Sequence, residues 1–169
     1  MRGVRTAEAA DKRAVAGIHV RSWQAAYRGL MPDTYLDSLD PEDRAARYTF
    51  GSDDPLRRST IVSVEDGIVD GFATMGPTSD ADLPDSGEVY AVYVDPGSWG
   101  LGVGRRLMAE TRSRLSHLGC TQALLWVLEG NGRARRFYEI DGWTPDGARR
   151  SEERWGVATD EIRYRRPLP

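Results

Sequence analysis

The run from Trp99 to Met108, WGLGVGRRLM, constrains this chain more than any other stretch. It lies between a strand-like segment, Glu88–Val94, and a helical pattern carrying Leu107, Met108, Thr111, Leu115 and Leu118. Glycine destabilises a helix start relative to alanine, so Gly100, Gly102 and Gly104 at this entrance need a reason. A strand that turns through glycines into a helix leaves N–H groups unpaired at the helix N-terminus, where the helix dipole is also positive. That is an anion site, and bare backbone lets a bulky pyrophosphate come close. Arg105 and Arg106 oppose the dipole in the first turn, a penalty that a bound polyanion reverses. The same glycines equally suit tight helix–sheet packing with solvated arginines, and the run alone leaves both explanations open.

Other phosphate-binding patterns fit poorly. G-x-G-x-G is one residue short of the Rossmann fingerprint, and no acidic residue between Glu110 and Glu129 stands where a ribose would be held. The Gly-Lys-Ser/Thr of a Walker loop is missing. Methyltransferase loops resemble the segment 95–102 loosely, but they follow a first parallel strand, whereas this one follows an antiparallel meander.

A chain of 169 residues is the size of one domain, taken as 1–169. Its net charge of −3 argues against a broadly basic nucleic-acid binder. No apolar run is long enough to span a membrane, and the N-terminus lacks the apolar core of a signal peptide. Cys120 stands alone, which fits a reducing cytoplasm and a packing role. All basic residues except Lys12 are arginines, a bias that fits a G+C-rich bacterial genome.

Periodicity predicts a short strand at Val4–Thr6 and a helix from Glu8 to Tyr27. Shorter helices follow at Pro32–Leu39 and Pro41–Phe50, each opened by proline. Strands Ser59–Val64 and Ile68–Met75 flank Asp66-Gly67, a strong hairpin signal. After strand Glu88–Val94 come a helix over Gly102–His117, a buried strand Ala123–Leu128, a helix Asn131–Ile140 and a last strand near Thr159–Tyr164. This order describes a mixed α/β layer fold around one sheet.

The stretch EVYAVYVDPGSWGLGVGRRLM (88–108) resembles the acetyl-coenzyme A motif of the GNAT superfamily of N-acetyltransferases. Downstream, WVLEGNGRARRFYEIDGW (126–143) resembles the second half of that motif: a strand, an asparagine, a helix with Phe-Tyr, then Gly-Trp. The resemblance implies an α/β (α+β) fold with a mixed, mostly antiparallel sheet of six to seven strands. The sheet would be splayed between its fourth and fifth strands, with helices on both faces. Acetyl-CoA would enter that splay, its pantetheine pairing with backbone at Val92, Tyr93 and Val94. Its pyrophosphate would meet the N–H groups of Gly100, Leu101, Gly102, Val103, Gly104 and Arg105. Asn131 would hydrogen-bond the pantetheine, and Arg133, Arg135 or Arg136 would reach the 3′-phosphate unless they form only a solvated helix face. Trp99 departs from the family's Arg or Gln at that position, and either covers the cofactor or packs on the loop.

The resemblance also implies direct attack of an amine on the thioester, with Tyr138 as general acid and a backbone N–H of Tyr93 or Val94 holding the oxyanion. Glu88 is the candidate base, because period-two alternation puts it on one face with Tyr90 and Val92. His19 and His117 are weaker candidates. Trp23 and Tyr27, four apart on one helix face, wall an acceptor pocket or belong to the core, and Trp155 leaves the same choice. The loop carrying Asp80, Asp82 and Asp85 either attracts cationic amines or is simply solvated. The expected acceptor is a small-molecule or peptide amine, with no metal, nucleic acid or membrane involved, and a homodimer is in keeping with the family. A CoA-binding sensor without transferase activity is the alternative.

Overall fold

Asp66 and Gly67 adopt φ of 51° and 82°, the left-handed pair that a tight hairpin with matching twist requires. They join β2 (Ser59–Glu65) to β3 (Ile68–Pro77) in a computed structural model that describes residues 2–51, 54, 56–154 and 156–169. Trp155 therefore lies outside the described residues. The other strands are β1 (Arg2–Thr6), β4 (Gly87–Val94), β5 (Gln122–Leu128), β6 (Thr144–Arg154) and β7 (Val157–Pro167). They form one seven-stranded sheet in the order β1-β2-β3-β4-β5-β7-β6, in which the β4–β5 pair is parallel and the other pairs are antiparallel.

Five helices cover the sheet: α1 (Lys12–Ala26), α2 (Asp33–Asp37), α3 (Pro41–Arg47), α4 (Val103–His117) and α5 (Gly132–Ile140). Parallel neighbours need a crossover, and α4 supplies it between β4 and β5. Leu107, Met108 and Leu115 of α4 bury against Ile61, Ala73, Met75, Val89, Leu125 and Val127 on one face of the sheet. Val15 and Ile18 of α1 pack on Val62 and Phe72 of the other face. Cys120 is half-buried beside the α4 cluster, where burial pushes its thiol up, so packing is its role here.

Three expectations shift. The helix predicted from Glu8 begins at Lys12, because Glu8 and Asp11 form a reciprocal cap around a 3₁₀ turn at Ala9–Asp11. The two proline-opened helices are shorter than predicted, α3 starting where the Asp40 side chain accepts from the Glu42 N–H. The tail forms two long strands rather than one. β6 is an edge strand of mostly charged and polar residues, and its register with β7 shifts between Pro145 and Arg149, so it carries no clean alternation.

The seat of α4 depends on Gly71 of β3. A Cβ there would lie 2.8 Å from Val103 Cγ1 and 3.1 Å from the Tyr93 carbonyl oxygen. Gly71→Ala is therefore expected to destabilise the protein by about 1–3 kcal/mol through overpacking, read as a lower urea midpoint.

Candidate active site

β4 and β5 are in register only at Gly87–Ala123, Glu88–Leu124 and Val89–Leu125. Against β3, Thr74 pairs with Ala91 and Met75 with Val89, so Tyr90 is an extra residue, a bulge. The bulge reverses the alternation. Val89 shares the α4 face with Val92 and Val94, while Ala91 and Tyr93 turn to the α1 face. Glu88, next to Val89, accordingly points to the α1 face and does not share a side with Val92 as unbroken alternation would have it.

Above Val89 the strands separate, and a cleft of about 710 Å³ runs between them from the glycine turn to Glu88 and Trp126. The Asp95 N–H donates to the Asp70 carbonyl at 2.9 Å. Antiparallel pairing then turns Tyr93 backbone groups toward β3, and those of Val92 and Val94 into the cleft. Tyr93 contributes its side chain instead, with ring centroids 5.1 Å from His19, 5.6 Å from Phe72 and 6.1 Å from Trp23.

The glycine turn is built by two different requirements. Gly100 and Gly102 have φ of 80° and 78°, a conformation that other residues rarely adopt. Gly104 is helical, but a Cβ there would sit 3.1 Å from Phe137 Cζ, so its bareness lets α5 approach α4. The first hydrogen bond of α4 runs from the Arg106 N–H to the Gly102 carbonyl at 3.2 Å. The N–H groups of Val103, Gly104 and Arg105 thus open the helix without helical partners, beside the cleft. Arg106 turns away and donates to the Leu101 carbonyl at 3.1 Å, and Leu101 itself is exposed.

Trp99 packs on the loop. Its indole N–H donates to the Val94 carbonyl at 2.8 Å, and the Arg133 guanidinium carbon lies 3.5 Å from its ring centroid. The other arginines of α5 point elsewhere. Arg135 donates to the Tyr164 hydroxyl at 3.2 Å and to the Glu129 carbonyl at 3.1 Å, while Arg136 is exposed and outside the cleft lining. Asn131 is the N-cap of α5, its Oδ1 accepting from the Ala134 N–H at 3.0 Å, and it also lines the cleft.

Tyr138 faces the cleft from α5, with Phe137 directed toward Gly104. Burial raises its phenol above the usual range, and nearby Tyr93 adds to the effect. Glu88 is buried at 4% exposure, its Oε2 accepting from the Thr78 hydroxyl at 3.0 Å and the Ser79 N–H at 3.2 Å. Trp23 and Tyr27 line the cleft and also pack in a core cluster with Met31 and Leu36. His19 lines the cleft beside them. Its Nδ1 is 2.7 Å from the Tyr48 hydroxyl, and burial lowers its pKa to about 3, so it is neutral at neutral pH. His117 bonds to the Ser113 carbonyl on the surface, away from the cleft.

Sequence reasoning overlooked the far wall. Arg58, Trp126, Arg150 and Glu161 line the cleft beyond Glu88. Trp126 opens the second motif stretch without having been singled out, Arg58 precedes β2, and Arg150 and Glu161 lie on β6 and β7, so the sheet order brings them together. Behind them, buried Arg163 binds Asp82 at 2.8 and 2.9 Å, Asp80 at 3.0 Å and Asp146 at 2.8 Å. Arg163 is thereby shared among three carboxylates, and its bonds to Asp80 and Asp82 hold the loop before β4 in place.

Residues 20–143 match the model of the acetyltransferase (GNAT) family. The chain belongs to the GNAT acetyltransferase family. With the family comes the class of enzyme, an acyltransferase that depends on acetyl-CoA. The N-acetyltransferase YuaI of Bacillus subtilis is 32% identical over 128 residues, covering 76% of this chain and 72% of that protein. Mycothiol acetyltransferase of Geodermatophilus obscurus is 45% identical, but over 58 residues, 34% of this chain and 19% of that one. The PaiA N-acetyltransferase of Thermoplasma acidophilum, solved with coenzyme A, has the same fold. It superposes with a TM-score of 0.75 at 17% identity over 99% of both chains. YncA of Salmonella typhimurium, solved with acetyl-CoA, gives 0.72 at 23% identity over 99% of this chain and 94% of that one.

Arg163→Met leaves Asp80 without its cation, although Arg165 still holds Asp146 at 2.9 Å. The expected loss is about 3 kcal/mol in urea unfolding, with part recovered on adding Asp80→Asn.

Proposed function

We propose that this protein moves an acetyl group from acetyl-CoA to the primary amine of a small molecule or peptide, by direct attack. What supports this reading is that Tyr138 and Glu88 both face one cleft, which also carries the free edge of β4 and the glycine turn. The fit to acetyl-CoA rests on the same groups. The edge N–H and carbonyl groups of Val92 suit the amides of a pantetheine arm, the Val94 carbonyl being met by Trp99. The N–H groups of Val103, Gly104 and Arg105 suit a pyrophosphate, with the Arg105 and Arg133 side chains beside them. Asn131 has its amide N–H groups left for the arm while its oxygen caps α5. When bound, the cofactor supplies a thioester as acyl donor.

Glu88 accepts a proton from the acceptor's ammonium, freeing the nitrogen lone pair. The C–N bond forms at the thioester carbonyl carbon, and the Val94 N–H, directed into the cleft, stabilises the oxyanion. The C–S bond then breaks, the leaving thiolate takes the Tyr138 proton, and the second proton, lost by the nitrogen as the amide forms, restores the Tyr138 phenol. Burial keeps Tyr138 protonated at neutral pH, which is the state a general acid needs. No helix among the described residues is long and apolar enough to cross a membrane, and the free Cys120 thiol suits a reducing cytoplasm. A homodimer remains part of this reading.

Tyr138→Phe is expected to lower kcat about 10²- to 10⁴-fold in a thiol-release assay, with acetyl-CoA affinity kept within a few-fold by thermal shift. Glu88→Gln should lower kcat as well, with acetyl-CoA affinity again kept within a few-fold. Unchanged turnover in either variant takes that residue out of the mechanism.

A further inference from the structure

Beyond Glu88, the α1 face of the sheet holds two guanidinium groups placed over aromatic rings. Arg58 Cζ lies 3.6 Å from the Tyr90 ring centroid, and Arg150 Cζ lies 4.3 Å from that of Trp126. Both arginines line the cleft. A stacked guanidinium gives its π-face to the ring and keeps its in-plane N–H groups for a planar anion. Arg150 uses Nε on Glu161, at 2.6 Å. Among the described residues, Arg58 has no carboxylate partner at all.

The carboxylates of this end are allotted differently. Asp80 and Asp82 pair with Arg163, and neither lines the cleft. Glu161 is held by Arg150. That leaves Glu88 to meet an ammonium, with the Arg58-bearing ring of Tyr90 two residues along the same strand. A carboxylate and a guanidinium close to the same tyrosine match an acceptor with both charges. A polyamine or aminoglycoside would bring several cations toward Arg58 and Arg150, which like-charge repulsion disfavours.

Resting on the N-acetyltransferase reading above, we propose that the acceptor is an amine bearing a carboxylate, an α-amino acid or close analogue. Glu88 takes its ammonium. Arg58 binds its carboxylate in the plane of the guanidinium, and Arg150 closes the opposite side. Trp126 and Tyr90 are the flat walls between which the rest of the acceptor lies.

The test is thiol release with matched acceptors: α-amino acids, each compared with its decarboxylated amine and its carboxamide. The amino acid should exceed its decarboxylated partner about tenfold or more in kcat/KM, mainly through KM, because a site built for a charged group rejects the analogue lacking it. That ratio should collapse toward one in Arg58→Ala and partly return in Arg58→Lys. Arg58 is exposed, so both variants fold, and their urea midpoints check this. Decarboxylated amines that match or exceed the amino acids overturn the carboxylate assignment and leave amine acetylation standing. If no amine releases thiol although acetyl-CoA binds, the acetyltransferase reading fails instead. Calorimetry of amino acids with the CoA-loaded protein then decides the present proposal: binding that Arg58→Ala abolishes upholds it, and no binding overturns it.

Discussion

Parallel β4 and β5 stay in register only as far as Val89 and Leu125, because Tyr90 bulges from β4 and sharpens its twist away from its neighbour. An unpaired strand edge inside a domain is costly unless something meets its N–H and carbonyl groups. Trp99 meets one of them, the Val94 carbonyl, and the amide-bearing arm of a cofactor is suited to the rest. The sheet can sustain this opening because both ends are secured elsewhere. α4 is buried on β2, β3 and β4 below the cleft, and β7 pairs with β5 along the whole strand from Gln122 to Leu128. The opening therefore costs stability locally and leaves the core intact.

The same bulge divides the labour of the two faces. Below it, Gly87 and Val89 feed the α4 core, and above it Val92 and Val94 do. Glu88 and Tyr93 are left on the α1 face, where Trp23, Tyr27 and His19 form an aromatic wall. On the other half of that face, no helix among the described residues covers β5, β7 and β6. Arg163 replaces one, drawing Asp80, Asp82 and Asp146 together under Trp126. Its hold on Asp80 extends through the Asp80 N–H to Thr78, and from the Thr78 hydroxyl to Glu88. A buried cation thus positions a carboxylate that it does not touch.

Local sequence was a good guide wherever backbone conformation or period decided the outcome. Asp66-Gly67 formed the expected turn, and Gly100 and Gly102 took the left-handed conformations that only a special turn would demand. Gly104 was a different case, because the reason for it is Phe137 on another helix, and no local pattern displays that contact. Alternation failed at Tyr90, since a bulge leaves no mark on the hydrophobic pattern of EVYAVYV and reverses every side chain beyond it. Trp99 looked like a lost polar contact, yet its indole N–H and the stacked Arg133 tie the loop to β4. Arg58, Arg150 and Glu161 were invisible as site residues because sheet order, not spacing, assembles them.

The central claim is that the edge of β4 above Tyr90 and the turn at Gly100–Arg105 receive the cofactor together. Amide hydrogen exchange measured with and without coenzyme A tests it most directly. Val92, Val94, Val103, Gly104 and Arg105 should be strongly slowed by the cofactor, while Tyr93, already directed toward β3, changes little. Saturating coenzyme A that leaves Val92 and Val94 exchanging as before, or that protects a different edge of the sheet, would contradict it.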